Sequence, residues 1–347
     1  MSRSRIARLV LAASLLALTA CSTAQSASPN DDAPLTLRLG YFPNLTHAPA
    51  MIALKKGFFA SALGSTVTIE THTFNAGGDA STALLSGSID VSFVGPNPTT
   101  NSFVQSHGEA VRVISGATSG GALLVVKPTI NTPQDLKGKK IADPQLGGTQ
   151  DVALRWYLKG LGFSEDTHAG GDVSILPQDN ATTLQTFEQG QIDGAWVPEP
   201  WASRLIVEGG GKVLVDERDL WPSKQFVTTD VVVGTQFLRD HPKRIKALLE
   251  GLFQSIDYLN SNPSDAQSIT NSAVADITGK KLKDGVVSAA WPHMTFTLDP
   301  LAASLKTSAD HAVAVGLLKS DNLHGLYDLS LLNQVLAAHG QPAVSGL

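Results

Sequence analysis

Leu35, Leu37 and Leu39 alternate with Thr36, Arg38 and Gly40, the period of a half-buried strand, and Tyr41-Phe42-Pro43-Asn44 closes it. A helix over 48–59 that ends near Gly57, a strand over 67–73 and a helix over 79–86 opened by Gly77-Gly78 continue the rhythm. Residues 89–94 are apolar enough for a strand covered on both faces, 98–105 read as a helix and 111–115 as a strand. Strands alternating with helices of this length predict parallel βαβ units. Residues 123–126, set between Gly120-Gly121 and Lys127-Pro128, predict a strand crossing to a second lobe, where the rhythm restarts. There, strands over 140–142, 173–176, 192–197 and 212–215 alternate with helices over 149–161, 181–189 and 201–207. Residues 228–234, with the run Val231-Val232-Val233, predict the strand that crosses back. Beyond Pro242 the pattern is helical, over 243–260, 264–275, 282–290, 300–318 and 329–339, a tail expected to pack on the first lobe.

One short pattern occurs twice. Gly87-Ser88-Ile89-Asp90 leads through Phe93-Val94 to Gly95-Pro96-Asn97-Pro98, and Gly190-Gln191-Ile192-Asp193 leads through Trp196-Val197 to Pro198-Glu199-Pro200. Each copy reads as a helix ending on glycine, a buried strand and a stiff turn. Ligands of open α/β sheets lie beyond the carboxyl ends of the strands, so two copies predict two sheets that each offer a loop to one shared cleft. The expected organisation is a leader over 1–20, a tether over 21–34, a first lobe over 35–122, a second over 123–228, and a return to the first with terminal helices over 229–347.

The bulk numbers agree with two α/β lobes: 347 residues exceed a single core, and 42% hydrophobic residues supply ample material for two. Arg3, Arg5 and Arg8 precede an apolar run over 9–18 that is too short to span a bilayer, the plan of an export signal. Leu18-Thr19-Ala20-Cys21 resembles the lipobox of bacterial lipoproteins, and Cys21 is the only cysteine, so no disulfide forms within the chain. Residues 22–34 are polar and aperiodic, a tether reaching about 45 Å at full extension. Without the leader, 23 basic face 31 acidic side chains, a charge of −8 that disfavours a nucleic-acid partner. The chain is therefore expected outside the cytoplasm, held to the cell membrane by lipid.

Five segments fall at predicted strand ends: 41–47, 75–79, 95–97, 118–121 and 147–151. Several place glycine and a hydroxyl or amide just before a helix, where free N–H groups and the helix dipole favour an anion. None contains Lys or Arg, while Asp79, Asp151 and Glu199 sit on cleft-facing loops. A zwitterion or a neutral polar ring reconciles the two, or the acids point away and cap helices. Trp196 either joins the core, as Phe93 does, or stacks on ligand; Asn97 is expected at the ligand, and Asp90 and Asp193 pair within the fold. The histidines show no metal-ligand spacing and no catalytic constellation is visible, so neither a metal nor another cofactor is expected.

Gly40-Tyr41-Phe42-Pro43-Asn44, the segment 87–98, Asp135-Leu136-Lys137-Gly138-Lys139-Lys140-Ile141 and the segment 190–201 resemble the extracytoplasmic substrate-binding proteins of ABC importers for nitrate, sulfonates and taurine, a group that also includes binders of thiamine-precursor pyrimidines. The likeness spans about 35–260. It implies a two-lobed periplasmic-binding-protein fold of the second type, with two hinge-crossing strands and a helical tail, acting as a monomer that closes over one small solute. The permease and ATPase would be separate chains. Contacts carried over by position are Asn44, Gly78, Asn97, Thr118, Thr149 and Trp196, with Glu199 beside them. The strand ends add Tyr41, His47, Gly77, Gly95, Ser119, Gly120, Gly148, Gln150 and Thr228. Pro43-Asn44 followed by His47 is nearer the pyrimidine binders, whereas the two repeats are nearer the sulfonate binders, and Asp79 stands where an uncharged helix start would suit a sulfonate better. An enzyme on the same architecture is the main rival, with His47 its best catalytic candidate, and export with a lipid anchor speaks against it.

Overall fold

The opening alternation forms β1 (Leu35–Tyr41), with Leu37 and Leu39 fully buried. A computed structural model of the chain describes residues 33–347 apart from positions 165 and 284; the expected leader, Cys21 and most of the tether lie outside the described residues. The remaining strands are β2 (Val67–Thr73), β3 (Val91–Val94), β4 (Val111–Gly120), β5 (Ala122–Val126), β6 (Lys140–Asp143), β7 (Ser174–Pro177), β8 (Gly194–Pro198), β9 (Lys212–Asp216), β10 (Val227–Gly234) and β11 (Met294–Phe296). Helices α1 (Ala48–Lys55), α2 (Phe58–Leu63), α3 (Gly77–Leu85) and α4 (Pro96–Gln105) belong to the first lobe, and α5 (Thr149–Gly160), α6 (Asn180–Glu188) and α7 (Trp201–Val207) to the second. The tail holds α8 (Thr235–Asp240), α9 (Pro242–Ser261), α10 (Pro263–Thr278), α11 (Val286–Ala290), α12 (Ala302–Ala314) and α13 (Ser330–Ala338).

The sheets run β11-β4-β10-β3-β1-β2 and β7-β6-β8-β5-β9, and both follow one plan. A parallel trio, β2-β1-β3 or β7-β6-β8, is followed by a strand antiparallel to it that the chain brings over from the other lobe, β10 or β5. Both sheets are thus mixed rather than wholly parallel, because each lobe lends the other one strand.

The repeated Gly-x-Ile-Asp turn has a mechanical role. Asp90 donates its backbone N–H to the Arg38 carbonyl at 2.9 Å and accepts the Arg38 N–H on its carboxylate at 2.8 Å; Asp193 does the same with Lys140, at 2.8 and 2.9 Å. Each carboxylate thereby pins the third strand of its lobe to the first. The glycines before them, Gly87 and Gly190, hold φ of 68° and 72°, which lets the helix end and the chain reverse into the strand.

Elsewhere packing overrides the local pattern. The expected helix over 48–59 breaks at Gly57, φ 73°, into α1 and α2. The helix expected over 282–290 shortens to α11, because Gly285 is left-handed and the Leu282 N–H is held by Asn271 Oδ1 at 2.9 Å. The strand expected to end at 115 runs on through residues 116–120, so that most of the loop expected over 118–121 belongs to β4, between β10 and β11. Their small size is required, since a Cβ on Gly116 would lie 2.2 Å from the Asp299 carbonyl oxygen. Tail helix α9 buries Ile245, Leu248, Leu249, Leu252, Ile256 and Leu259 in the core that also holds Leu37 and Phe93. The tail also reaches the second lobe: the His311 ring of α12 stacks on Trp156 of α5 at 4.2 Å, and Lys159 Nζ donates to the Ala314 carbonyl at 2.6 Å.

One group in the sheet runs against the rest. Asp230, in β10, is fully buried and neither carboxyl oxygen has a hydrogen-bond partner among the described residues. Burial, reinforced by the nearby charge of Asp299, raises its pKa well above the carboxylate range. Raised in the folded state, the pKa makes stability fall as pH climbs from about 4, where the unfolded group ionises. Asp230→Asn should therefore match the unaltered protein near pH 4 and exceed its unfolding free energy by about 1–3 kcal/mol at pH 8; urea titrations at both pH values check this, and a constant difference would contradict it.

Candidate functional site

The chain passes between the sheets at Gly120-Gly121 and again ahead of β10. Both glycines have positive φ, and a Cβ would lie 2.5 Å from the His293 carbonyl oxygen at one and 2.6 Å from Met294 Cγ at the other, so only glycine fits the crossing. With the crossings fixed, the carboxyl ends of the two parallel trios face each other over a cavity of about 40 Å³.

Its walls come from both lobes. Phe42, Asn44, Thr46 and His47 follow β1, Asn75 to Gly77 follow β2, and Gly95 follows β3; across from them stand Pro144, Gln145, Gly148, Thr149, Gln150, Asn180 and Pro198. Helices α3, α4, α5 and α6 begin there, and α3, α4 and α5 lack a side-chain cap. In the first turn of α4, Pro96 and Pro98 have no N–H, leaving that of Asn97. Among the described residues no Lys, Arg, Asp or Glu lines the cavity, so its field comes from amides, hydroxyls and helix starts.

His47 shares that neutrality. Its ring is buried, stacks on Phe42 at 4.5 Å and turns Nδ1 toward the Phe42 N–H, 3.4 Å away. An acceptor at Nδ1 leaves the proton on Nε2. Burial lowers the pKa to about 3, so the ring is a neutral donor.

Of the expected contacts, Asn44, His47, Gly77, Gly95, Gly148, Thr149, Gln150 and Thr228 line this cavity. Asn44 also accepts the Trp201 indole N–H at 2.9 Å, bridging the lobes, and the Thr228 hydroxyl donates to the Gly120 carbonyl. The Gly78 N–H is at the rim and is taken by Gln145 Oε1 at 2.7 Å.

The others are placed elsewhere. Tyr41 continues the Leu37–Leu39 parity into the core. Asn97 turns its amide to α12, donating to the Ser308 carbonyl at 3.3 Å and accepting the Ser308 hydroxyl at 2.8 Å. Thr118, Ser119 and Gly120 are strand residues of β4, and the Thr118 hydroxyl donates to the Thr46 carbonyl at 2.7 Å. Trp196 is core: fully buried, edge-on to Tyr157 at 5.5 Å, its indole N–H donated to Glu217 Oε2 at 2.7 Å. Burial pushes that glutamate up to about 7.

None of the three acids lines the cavity. Asp79 is exposed in the first turn of α3. Asp151 pairs with Arg155 at 2.7 Å and accepts the Gly147 N–H at 2.8 Å. Glu199 accepts the Ser203 N–H and hydroxyl at 3.0 and 2.9 Å and meets His293 Nδ1 at 2.7 Å, while its backbone oxygen accepts the Leu45 N–H.

Asn180, Gln145 and Asn75 complete the wall. Asn180 is 5% exposed and its Oδ1 has no partner among the described residues. The strand-end rule already applied at 147–151 points equally to the turn after β7; the absence of glycine there hid it.

A model of the NMT1-like family matches residues 31–274. Among curated proteins the chain is 31% identical over 218 residues to the taurine-binding periplasmic protein of Escherichia coli strain K12, covering 62% of this chain and 64% of that protein, just under two thirds of its length. It is 24% identical to a putative aliphatic sulfonates-binding protein of Bacillus subtilis strain 168, covering 95% and 97% of the two chains. Among solved structures, the alkanesulfonate-binding protein SsuA from Xanthomonas axonopodis pv. citri bound to MOPS superposes with a TM-score of 0.69 at 22% identity, over 85% of this chain and 99% of that one.

The His47 environment sets a titration. With the folded pKa near 3 and the unfolded near 6.5, only the unfolded chain takes up the proton between those values, so this residue lowers stability as pH falls below about 6.5. Nitrogen-15 spectra of the ring should show the Nε2–H tautomer unchanged from pH 8 to pH 5; a titration midpoint near 6.5 would contradict the buried, neutral donor.

Proposed function

We propose that this chain, which belongs to the NMT1-like family, is the extracytoplasmic solute-binding component of an ABC importer and captures a small sulfonate or related anion between its lobes. One observation carries the reading: an uncharged cavity at four helix starts, with half of its wall on each lobe. An anion gains about 0.3–1 kcal/mol at an exposed helix start and up to ~2 where partly buried. Three uncapped starts at the upper value supply about 6 of the ~8 kcal/mol of micromolar binding without any buried cation. The α6 start is already capped by the Asp179 carboxylate, and side-chain hydrogen bonds from the wall are left to supply the rest. Such a site also avoids the desolvation cost of a lysine or arginine when empty.

The proteins it resembles are named as a taurine-binding periplasmic protein and a putative aliphatic sulfonates-binding protein, which supports binding rather than catalysis. Taurine, aliphatic sulfonates and nitrate are the solute classes in view, and the Asn180 carbonyl oxygen is an acceptor for the ammonium end of a zwitterion. A solute that touches both walls favours the lobes together, and that population shift is what a permease on a separate chain would read. Acylation at Cys21 would hold the body to the outer face of the cell membrane, with the tether giving it reach.

Thermal-shift measurements on the soluble body test the reading, since stabilisation grows as RT ln(1 + [L]/Kd), about 2.7 kcal/mol at one hundred times Kd. Taurine, short alkyl sulfonates or nitrate should raise the melting temperature. A shift with an uncharged pyrimidine and none with any anion would overturn the assignment.

A further inference from the structure

We infer that Gln145 is a length gate, which decides how long a solute tail the cleft accepts; the inference rests on the solute-capture reading above. The residue is held at both ends. Its backbone is fixed by a turn, with its N–H on Asp143 Oδ1 at 3.0 Å and its carbonyl accepting the Gly148 N–H at 2.9 Å, while its side chain crosses to the other lobe and takes the Gly78 N–H at 2.7 Å.

That side chain stands between two voids. On its inner side is the cavity of about 40 Å³; on its outer side a groove of about 220 Å³ runs between α3, α4 and the loop before α5. Pro98, Gln145 and Gly148 line both, so the partition is made of these residues and the Gly78–Gln145 bond closes it. The inner void suits a compact headgroup, and the outer one is more than large enough for a chain of methylenes.

The groove has a mixed lining, with Asn101 and Gln105 at its wall beside Leu85, Pro98 and Leu146, and part of it is fit for an apolar chain. The hydroxyls of Ser81 and Ser102 already donate to the Pro98 carbonyl, at 3.0 and 3.1 Å, so covering them strands no donor. Leu85 and Leu146 flank it, 37% and 46% exposed, one on each lobe. A sulfonate seated inside would have to send a long alkyl tail past Gln145, and the tail cannot pass while the Gly78 bond is made. Closed, the gate restricts the site to short solutes; displaced, it joins the two voids and admits a tail lying between Leu85 and Leu146.

Calorimetric titration of methane-, propane- and hexanesulfonate into the unaltered protein, Gln145→Ala and Gly78→Ala tests this. The second variant reaches the gate from the other side, because a Cβ on Gly78 would lie 2.8 Å from Gln145 Oε1. In the unaltered protein affinity should stop rising or fall from methyl to hexyl. In both variants it should rise with length, by up to about fourfold for each methylene that enters the groove, while methanesulfonate weakens. Thermal melts confirm that the variants are folded. Parallel length profiles in all three proteins would overturn the gate and leave the solute reading standing; failure of every sulfonate to bind the unaltered protein would remove both.

Discussion

Each lobe of this protein contains a strand that the other lobe supplies. β5 enters the second sheet directly from β4, and β10 enters the first after the chain has completed the second. The exchange fixes where the lobes meet, because both crossings lie beside the carboxyl ends of the parallel trios. The carboxylate braces at Asp90 and Asp193 then hold each trio in register. Only glycine passes the first crossing, so the site's position follows from two backbone constraints rather than from any single side chain.

The same arrangement settles the electrostatics. Acids near the mouth are occupied with structural partners: Asp151 with Arg155, Glu199 with Ser203 and His293. None of these carboxylates lines the cavity, and burial keeps His47 neutral. What remains is a ring of dipoles, an arrangement suited to an anion without a counter-charge that would itself need a partner when the site is empty. Asn44 with Trp201, Gly78 with Gln145 and Leu45 with Glu199 tie the lobes together around it.

Much of this is visible in the sequence where the determinants are local. The duplicated turn, the alternation in β1 and the glycine-opened helices at 77 and 149 lead to both sheets and to about half of the cavity wall. The readings that fail are those decided by partners distant in the chain. Asn97 turns from the cavity because Ser308 takes its amide, and Trp196 because Glu217 takes its indole N–H. Periodicity cannot announce a partner 211 residues away, or even 21. Asn180 escapes for a different reason: a helix start without glycine looks ordinary until the opposite lobe is set against it, while Gln145 lies two residues ahead of the expected segment 147–151 and reaches the cleft through its long side chain.

The central claim is that solute assembles the site by drawing two separable walls together. Pulsed electron–electron distance measurements between spin labels at Leu85→Cys and Leu146→Cys, on a soluble body without Cys21, test it most directly. The account predicts a broad distribution reaching longer distances without solute, collapsing to the short distance of this structure in saturating methanesulfonate. A distribution that is the same with and without bound methanesulfonate would contradict it.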